Sequence, residues 1–360
     1  MGCMSRVLVL TAFAVLVAQG APPVKRGPLI GGPVRKTQTQ VRRPVVVALP
    51  VAKPAVKTSP RKGPPPMTGK PAPKGAGPMA PYRGAIAVDA ETGRVLYADS
   101  ENRTGYPASV TKLMTFLLVL EDLQAGRYTL ADRAAASTYA ASMEPSKVDV
   151  APGQTMSIED LLFAIMVKSA NDAAVVLAEH AAWIRGGGKG PIPADGKSRD
   201  RVDAFIARMN RRAQELGMDS TRYASPNGLP PGLKESRGFD TSTAADLARL
   251  GRQIVSIPGA LRYTSATTRT VKTNGDVSVY LSTHNYFLPG SRDKDGLARP
   301  VPGCDGLKTG YTAASGSSIA LTAARDGRRV VVVVLGSAGR HEREAAAGRI
   351  LRDALDAVSF

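Results

Sequence analysis

A serine hydroxyl attacks an amide only when a base takes its proton, so a serine at fixed spacing from a basic side chain is the first pattern to seek. Ser109-Val110-Thr111-Lys112 offers one, and on a helix residues i and i+3 share a face. A helix start there would also bring Ser109 close to unpaired backbone N–H groups. Two more short patterns follow in chain order, Ser169-Ala170-Asn171 and Lys308-Thr309-Gly310. Each is weak alone, because Ser59-Pro60-Arg61-Lys62 and Ser291-Arg292-Asp293-Lys294 repeat the first spacing, and Ser100-Glu101-Asn102 and Ser225-Pro226-Asn227 repeat the second. Histidine offers little as an alternative base: the chain has three, His180, His284 and His341, and no Gly-x-Ser-x-Gly elbow.

The surrounding elements separate the patterns. Leu113, Met114, Phe116, Leu117, Leu118 and Leu120 follow Ser109 with no breaker before Gly126, which predicts a buried helix starting close to the serine. Ser59 lies in Pro-rich sequence and Ser291 in a Gly/Asp-rich stretch, so neither holds a lysine in place. Further helices are predicted from about Ser157 toward Lys168, from Asn171-Asp172, over Val202–Leu216 before Gly217, and over Thr243–Ile254 behind a Thr241-Ser242 cap. Ser169 then falls between two helices, where a tight connection can aim both motif side chains outward. Ala85–Asp89 and Arg94–Ala98 read as a hairpin turning at Gly93. Thr267–Val271, Val277–Leu281, Ser317–Ala323 and Val330–Leu335 read as strands, and Arg343–Val358 as a closing helix. Lys308-Thr309-Gly310 precedes the Ser317 strand beside Gly306, where backbone can approach a substrate. The 186–200 and 289–302 stretches read as loops. The sum is an α+β fold, an antiparallel sheet flanked by helices with an inserted helical lobe.

The ends of the chain differ from its body. Residues 1–80 carry 13 of the 48 Lys and Arg and no Asp or Glu, so most of the net charge of +18 lies outside the predicted core. What remains is only mildly basic, which argues against nucleic-acid binding. Residues 1–20 read as a secretory signal peptide: Val7–Ala18 is apolar but short of the roughly 20 residues that span a bilayer. Residues 21–80 read as a disordered, basic, Pro-rich tether, either a plain spacer or a segment that adheres to an anionic envelope polymer. Residues 81–360 form the predicted catalytic domain. Cys304 is left without a disulfide partner once Cys3 departs with the signal, and reads as a small buried filler.

In their order and flanks, Pro107-Ala108-Ser109-Val110-Thr111-Lys112-Leu113-Met114-Thr115, Lys168-Ser169-Ala170-Asn171-Asp172, Ser225-Pro226-Asn227-Gly228-Leu229 and Asp305-Gly306-Leu307-Lys308-Thr309-Gly310-Tyr311-Thr312 resemble the serine D-alanyl-D-alanine carboxypeptidases. These are the low-molecular-weight penicillin-binding proteins, with a β-lactamase/transpeptidase-like fold. The resemblance spans roughly Tyr82 to Phe360. It implies that Ser109 is the nucleophile and Lys112 its base, with Lys308 and burial lowering the Lys112 pKa. It further implies that Ser169 relays a proton to the leaving amine and that Asn171 holds the substrate backbone. The Ser109 and Tyr311 amides would form the oxyanion hole, and Lys308, Thr309 and Arg343 would bind the substrate carboxylate beside Gly310. The implied substrate is the peptidoglycan stem peptide, the implied covalent inhibitors are β-lactams, and neither cofactor nor metal is called for. The expected location is the periplasm or cell wall. Asn227-Gly228 reads as a structural turn.

Other readings stay open. The same acyl-enzyme supports D,D-endopeptidase or transpeptidase action when the substrate or acceptor changes. A serine β-lactamase would need a Glu-x-x-x-Asn base, and Glu179, Glu215 and Glu235 each lack the Asn. A catalytically silent envelope-binding module is the remaining alternative.

Overall fold

Gly93 turns the first hairpin, with φ of +77° where glycine carries no Cβ penalty. It joins strands β1 (Gly84–Asp89) and β2 (Val95–Asp99), which pair antiparallel with Ile86 opposite Ala98. The computed structural model describes residues 77–79, 81–230, 237–273 and 277–358. The predicted signal peptide and residues 21–76 and 80 of the predicted tether lie outside the described residues. All described residues fall in one compact unit, 63–360. Met79, within the segment read as a tether, already bridges to Ser337, its N–H donating to Gly336 O at 2.9 Å.

The five-stranded antiparallel sheet runs β2-β1-β9-β8-β7, built with β7 (Cys304–Thr312), β8 (Gly316–Arg325) and β9 (Arg328–Ser337). β9 is central, and its run Val330–Leu335 is fully buried on both faces. Val330, Val332 and Val334 face the layer that includes α8 (Arg340–Val358), while Val331, Val333 and Leu335 face the core of the helical lobe. Such burial contributes about 1.5–3 kcal/mol per side chain, so this strand anchors both layers. The lobe, inserted between β2 and β7, centres on α1 (Lys112–Gln124), which is buried along almost its whole length. Around it pack α3 (Ile158–Phe163), α4 (Asn171–Arg185), α5 (Ser198–Glu215) and α6 (Ala244–Val255), with short helices α2 (Thr138–Ala141) and α7 (Leu261–Thr264).

Several elements depart from the sequence reading. The helix at Ser109 opens as a 3-10 turn over Ala108–Thr111 before α1 begins. The helix behind Ser157 becomes a π-helical turn over Ala164–Lys168. α5 starts at Ser198, four residues early, and α8 starts at Arg340. Thr243, not Thr241-Ser242, caps α6, its hydroxyl accepting from Asp246 N. The Thr267 and Val277 segments form their own two-stranded sheet, β5 (Thr268–Lys272) with β6 (Ser278–Ser282), and so lie outside the main sheet. β3 (Arg133–Ala135) and β4 (Thr155–Ser157) pair in a third small sheet that alternation was too short to signal. Lys308-Thr309-Gly310 does precede the Ser317 strand, now β8, but it also lies inside a strand of its own, β7.

Candidate active site

Sequence first fixes the nucleophile turn. Ala108 holds φ of +48°, a region that costs an L-residue free energy, and the 3-10 turn that follows leaves the amides of its first residues without helical partners. Ser109 is half-buried at the floor of an open cleft of about 430 Å³. Lys112, one turn on, is completely buried. Its Nζ donates to Ser109 Oγ at 2.9 Å, to Asn171 Oδ1 at 2.6 Å and to Asn227 O at 2.7 Å. Burial pushes the Lys112 ammonium well below its ordinary pKa and the Lys308 charge adds to that, while Asp240 and Asp172 oppose it. A buried amine whose ammonium form is disfavoured, in contact with a hydroxyl, can accept the hydroxyl proton once it is neutral.

The second pattern sits where the π-helical turn ends. Ser169 takes a left-handed φ of +64°, and α4 begins two residues later at Asn171. Both side chains line the cleft. Asn171 is fixed from both ends, since its Nδ2 donates to Glu144 O at 2.8 Å while its Oδ1 receives Lys112. Asp172 accepts from the Val148, Val150 and Ala173 amides and so ties α4 to the loop that carries Pro145 and Ser146 into the cleft wall.

β7 supplies the third pattern from the free edge of the sheet. Alternation along the strand places Lys308 below the cleft and Thr309 and Tyr311 in its lining. Lys308 Nζ donates to Thr309 O at 2.9 Å, and burial, followed by the nearby Arg343 charge, pushes its pKa down to about 7. Gly310 lets this edge press on the nucleophile turn, because a Cβ there would lie 2.7 Å from Pro107 O and 3.1 Å from Ser109 N. Arg343, buried in the first turn of α8, reaches the same cleft and pairs with Glu344. The nine residues read from the sequence therefore converge: seven line the cleft, and Lys112 and Lys308 lie beneath it.

Other residues here escaped the sequence reading. Asn227, read as part of a structural turn, does lie in one, and its carbonyl also receives Lys112. A backbone acceptor has no side-chain signature. His284, Tyr286 and Arg340 also line the cleft. Burial and the surrounding cations, Lys308 foremost, push His284 down to about 4, so it is a neutral ring near pH 7. Arg340 is held by Asp293 at 2.5 Å and by Asp295, which gives the 289–302 loop a structural role. Ser291, the decoy in that loop, is spent on Leu288 O. Cys304 is buried, with its thiol pushed up to about 12. Among the described residues no group of three or more His, Cys, Asp or Glu is placed to hold a metal ion. None of their helices is long and apolar enough to cross a membrane.

Residues 78–339 match the model of the D-alanyl-D-alanine carboxypeptidase family. A D-alanyl-D-alanine carboxypeptidase of Bacillus subtilis, DacF, is 29% identical over 75% of this chain, which covers 61% of that relative's own length. DacB2 of Mycobacterium tuberculosis, also named a D-alanyl-D-alanine carboxypeptidase, is 30% identical over 72% of this chain and 76% of its own. Among solved structures, the ampicillin-bound penicillin-binding protein D2 of Listeria monocytogenes superposes with a TM-score of 0.57 at 29% identity, over 76% of this chain and 97% of that one.

Proposed function

Since this chain belongs to the D-alanyl-D-alanine carboxypeptidase family, we propose that it removes the terminal D-alanine from peptidoglycan stem peptides through an acyl-enzyme on Ser109. The observation that carries the reading is the Lys112 amine, wholly buried, disfavoured as a cation and 2.9 Å from the Ser109 hydroxyl. In the acylation step Lys112 takes the Ser109 proton as Oγ attacks the carbonyl of the penultimate D-alanine. The resulting oxyanion sits between the Ser109 amide and the Tyr311 amide on β7. Ser169 passes a proton to the departing amine, the C–N bond breaks, and D-alanine leaves. Water then attacks the ester, and Ser109 recovers its proton. Asn171 holds the substrate backbone, and Thr309, Lys308 and Arg343 take its terminal carboxylate.

β-Lactams fit the same scheme as trapped acylating agents, and the ampicillin-bound relative supports that reading. A fluorescent penicillin incubated with the protein is expected to leave a stable adduct on Ser109, and a D-Ala-D-Ala stem peptide to release free D-alanine, read by mass spectrometry. Rapid hydrolysis of the penicillin, or intact peptide after prolonged incubation, would sink the proposal. The site of action we propose is the periplasm or cell wall, reached by export through the signal-like residues 1–20. The basic stretch 21–80 is proposed to act as a tether that adheres to an anionic envelope polymer.

The carboxylate site gives a pH signature. Lys308 loses its proton near pH 7 in the free enzyme, so its hold on a carboxylate weakens above that pH. The kcat/KM of peptide release is therefore expected to fall on the alkaline side from about pH 7, while the need for neutral Lys112 makes it rise on the acid side. Arg343 is part of what depresses Lys308. Replacing it by Gln should move the falling limb to higher pH while raising KM. A limb that stays in place would remove Lys308 from the carboxylate site.

A further inference from the structure

One buried acid connects two parts of the site that are far apart in sequence. Asp240 precedes α6 and is buried, and its carboxylate accepts four hydrogen bonds. Oδ1 takes Ala224 N at 2.5 Å and Ser225 N at 2.9 Å; Oδ2 takes Ser225 Oγ at 2.8 Å and Thr111 Oγ1 at 3.1 Å. Two of these donors belong to hydroxyls and two to amides, a set that satisfies an ionised carboxylate at both oxygens. Burial pushes the Asp240 carboxyl up, and those same donors oppose the shift.

The partners are not scattered. Thr111 lies between Ser109 and Lys112 in the nucleophile turn. Ser225 Oγ, besides meeting Asp240, receives Gly228 N at 2.8 Å and so closes the 225–228 turn. That turn is pressed on the nucleophile: Thr115 Oγ1 donates to Pro226 O at 2.6 Å, Lys112 Nζ donates to Asn227 O at 2.7 Å, and a Cβ on Gly228 would fall 1.9 Å from Ala108 O. We propose that Asp240 is a positioning residue for acylation, its carboxylate tying Thr111 to the Ser225–Gly228 turn so that the Asn227 carbonyl and the Ser109 hydroxyl are both held on the Lys112 amine, against which it also sets a fixed negative charge.

The charges facing Lys112 are Lys308 from β7, Asp172 from α4 and Asp240; Asn171 and Ser109 face it as neutral partners. Tyr223, buried next to Asp240, is held protonated and adds no charge. Asp240 works against the burial that depresses Lys112. Removing its charge while keeping its shape lowers the affinity of that amine for its proton, so more free base is present at low pH.

The inference rests on Ser109 acylation, and its test separates the two ideas. The rate constant for acylation by fluorescent penicillin is followed against pH for wild type, Asp240→Asn and Ser225→Ala, with melting temperatures alongside. Asp240→Asn should move the ascending acid limb down by about one pH unit. Ser225→Ala, which removes contacts and no charge, should lower the plateau about tenfold with the limb in place. An unmoved limb in Asp240→Asn overturns the proposal. If that variant does not fold, Thr111→Val and Ser225→Ala decide: slower acylation at wild-type melting temperature supports it, and wild-type rates in both overturn it. A wild type that takes no label overturns the acyl-enzyme reading itself, and this inference with it.

Discussion

With Ser109 replaced by Ala, penicillin labelling is expected to vanish and D-alanine release to drop by about 10⁶-fold, the scale on which deleting a serine nucleophile acts. The fold should survive. Ser109 is half-buried, and its hydroxyl accepts one hydrogen bond, from Lys112 Nζ, which keeps Asn171 Oδ1 and Asn227 O as acceptors. Binding of substrate ought to persist, because Thr309, Lys308 and Arg343 are untouched. Labelling and peptide release must be measured together with thermal melting. Residual labelling at any site would show that another nucleophile carries the chemistry.

Replacing Lys112 by Met should slow acylation by roughly 10²–10⁴-fold, the usual worth of a general base. Its effect on stability is opposite in origin. Methionine of similar length removes an amine that burial and Lys308 both disfavour as a cation, yet leaves Asn171 Oδ1 and Asn227 O without a donor. The two offset each other near neutral pH, so activity falls far more than melting temperature. The pH dependence follows from the direction of the shift. A lysine whose folded pKa is depressed binds its proton more readily in the unfolded chain, so stability rises with pH from the folded pKa up to the ordinary 10.5. For Lys308 that window opens at about 7. Lys112→Met should therefore melt with a shallower alkaline rise than wild type. An unchanged slope together with unchanged acylation would show that Lys112 is a structural amine.

The chemistry-bearing residues were legible because their types are rare in the settings they occupy: a serine and a lysine one turn apart ahead of six apolar residues, and a lysine among glycines. Helices with a long apolar face, such as α1 and α4, were also readable, as was β9, whose valine run has one interpretation. β7 was hidden for a physical reason. Its Gly306, Lys308 and Gly310 lower strand propensity: Gly310 admits the nucleophile turn, Lys308 is the buried amine, and Gly306 makes room for Thr264 of α7. The β5-β6 pair was visible as strands but not as a separate sheet, since pairing partners depend on long-range register. The Asn227 carbonyl and the Asp240 carboxylate act through main-chain placement across more than a hundred residues, which no local pattern records.

Ala108, next to the nucleophile, and Ser169, in the cleft wall, are non-glycine residues held left-handed, and they bear on how this protein can be made more robust. Each such position withholds on the order of 1–2 kcal/mol from the folded state. A glycine at Ala108 would release part of that strain, offset by the roughly 0.5–1 kcal/mol of backbone freedom it gives the unfolded chain, whereas a glycine at Ser169 would also delete the hydroxyl proposed to relay the proton. The same exchange would let the Ser109 and Asn171 turns wander among conformations that the methyl and hydroxymethyl groups now forbid. Thermal hardening of this scaffold is better sought on the far face of α8 and along β2, where rigidity and turnover do not compete.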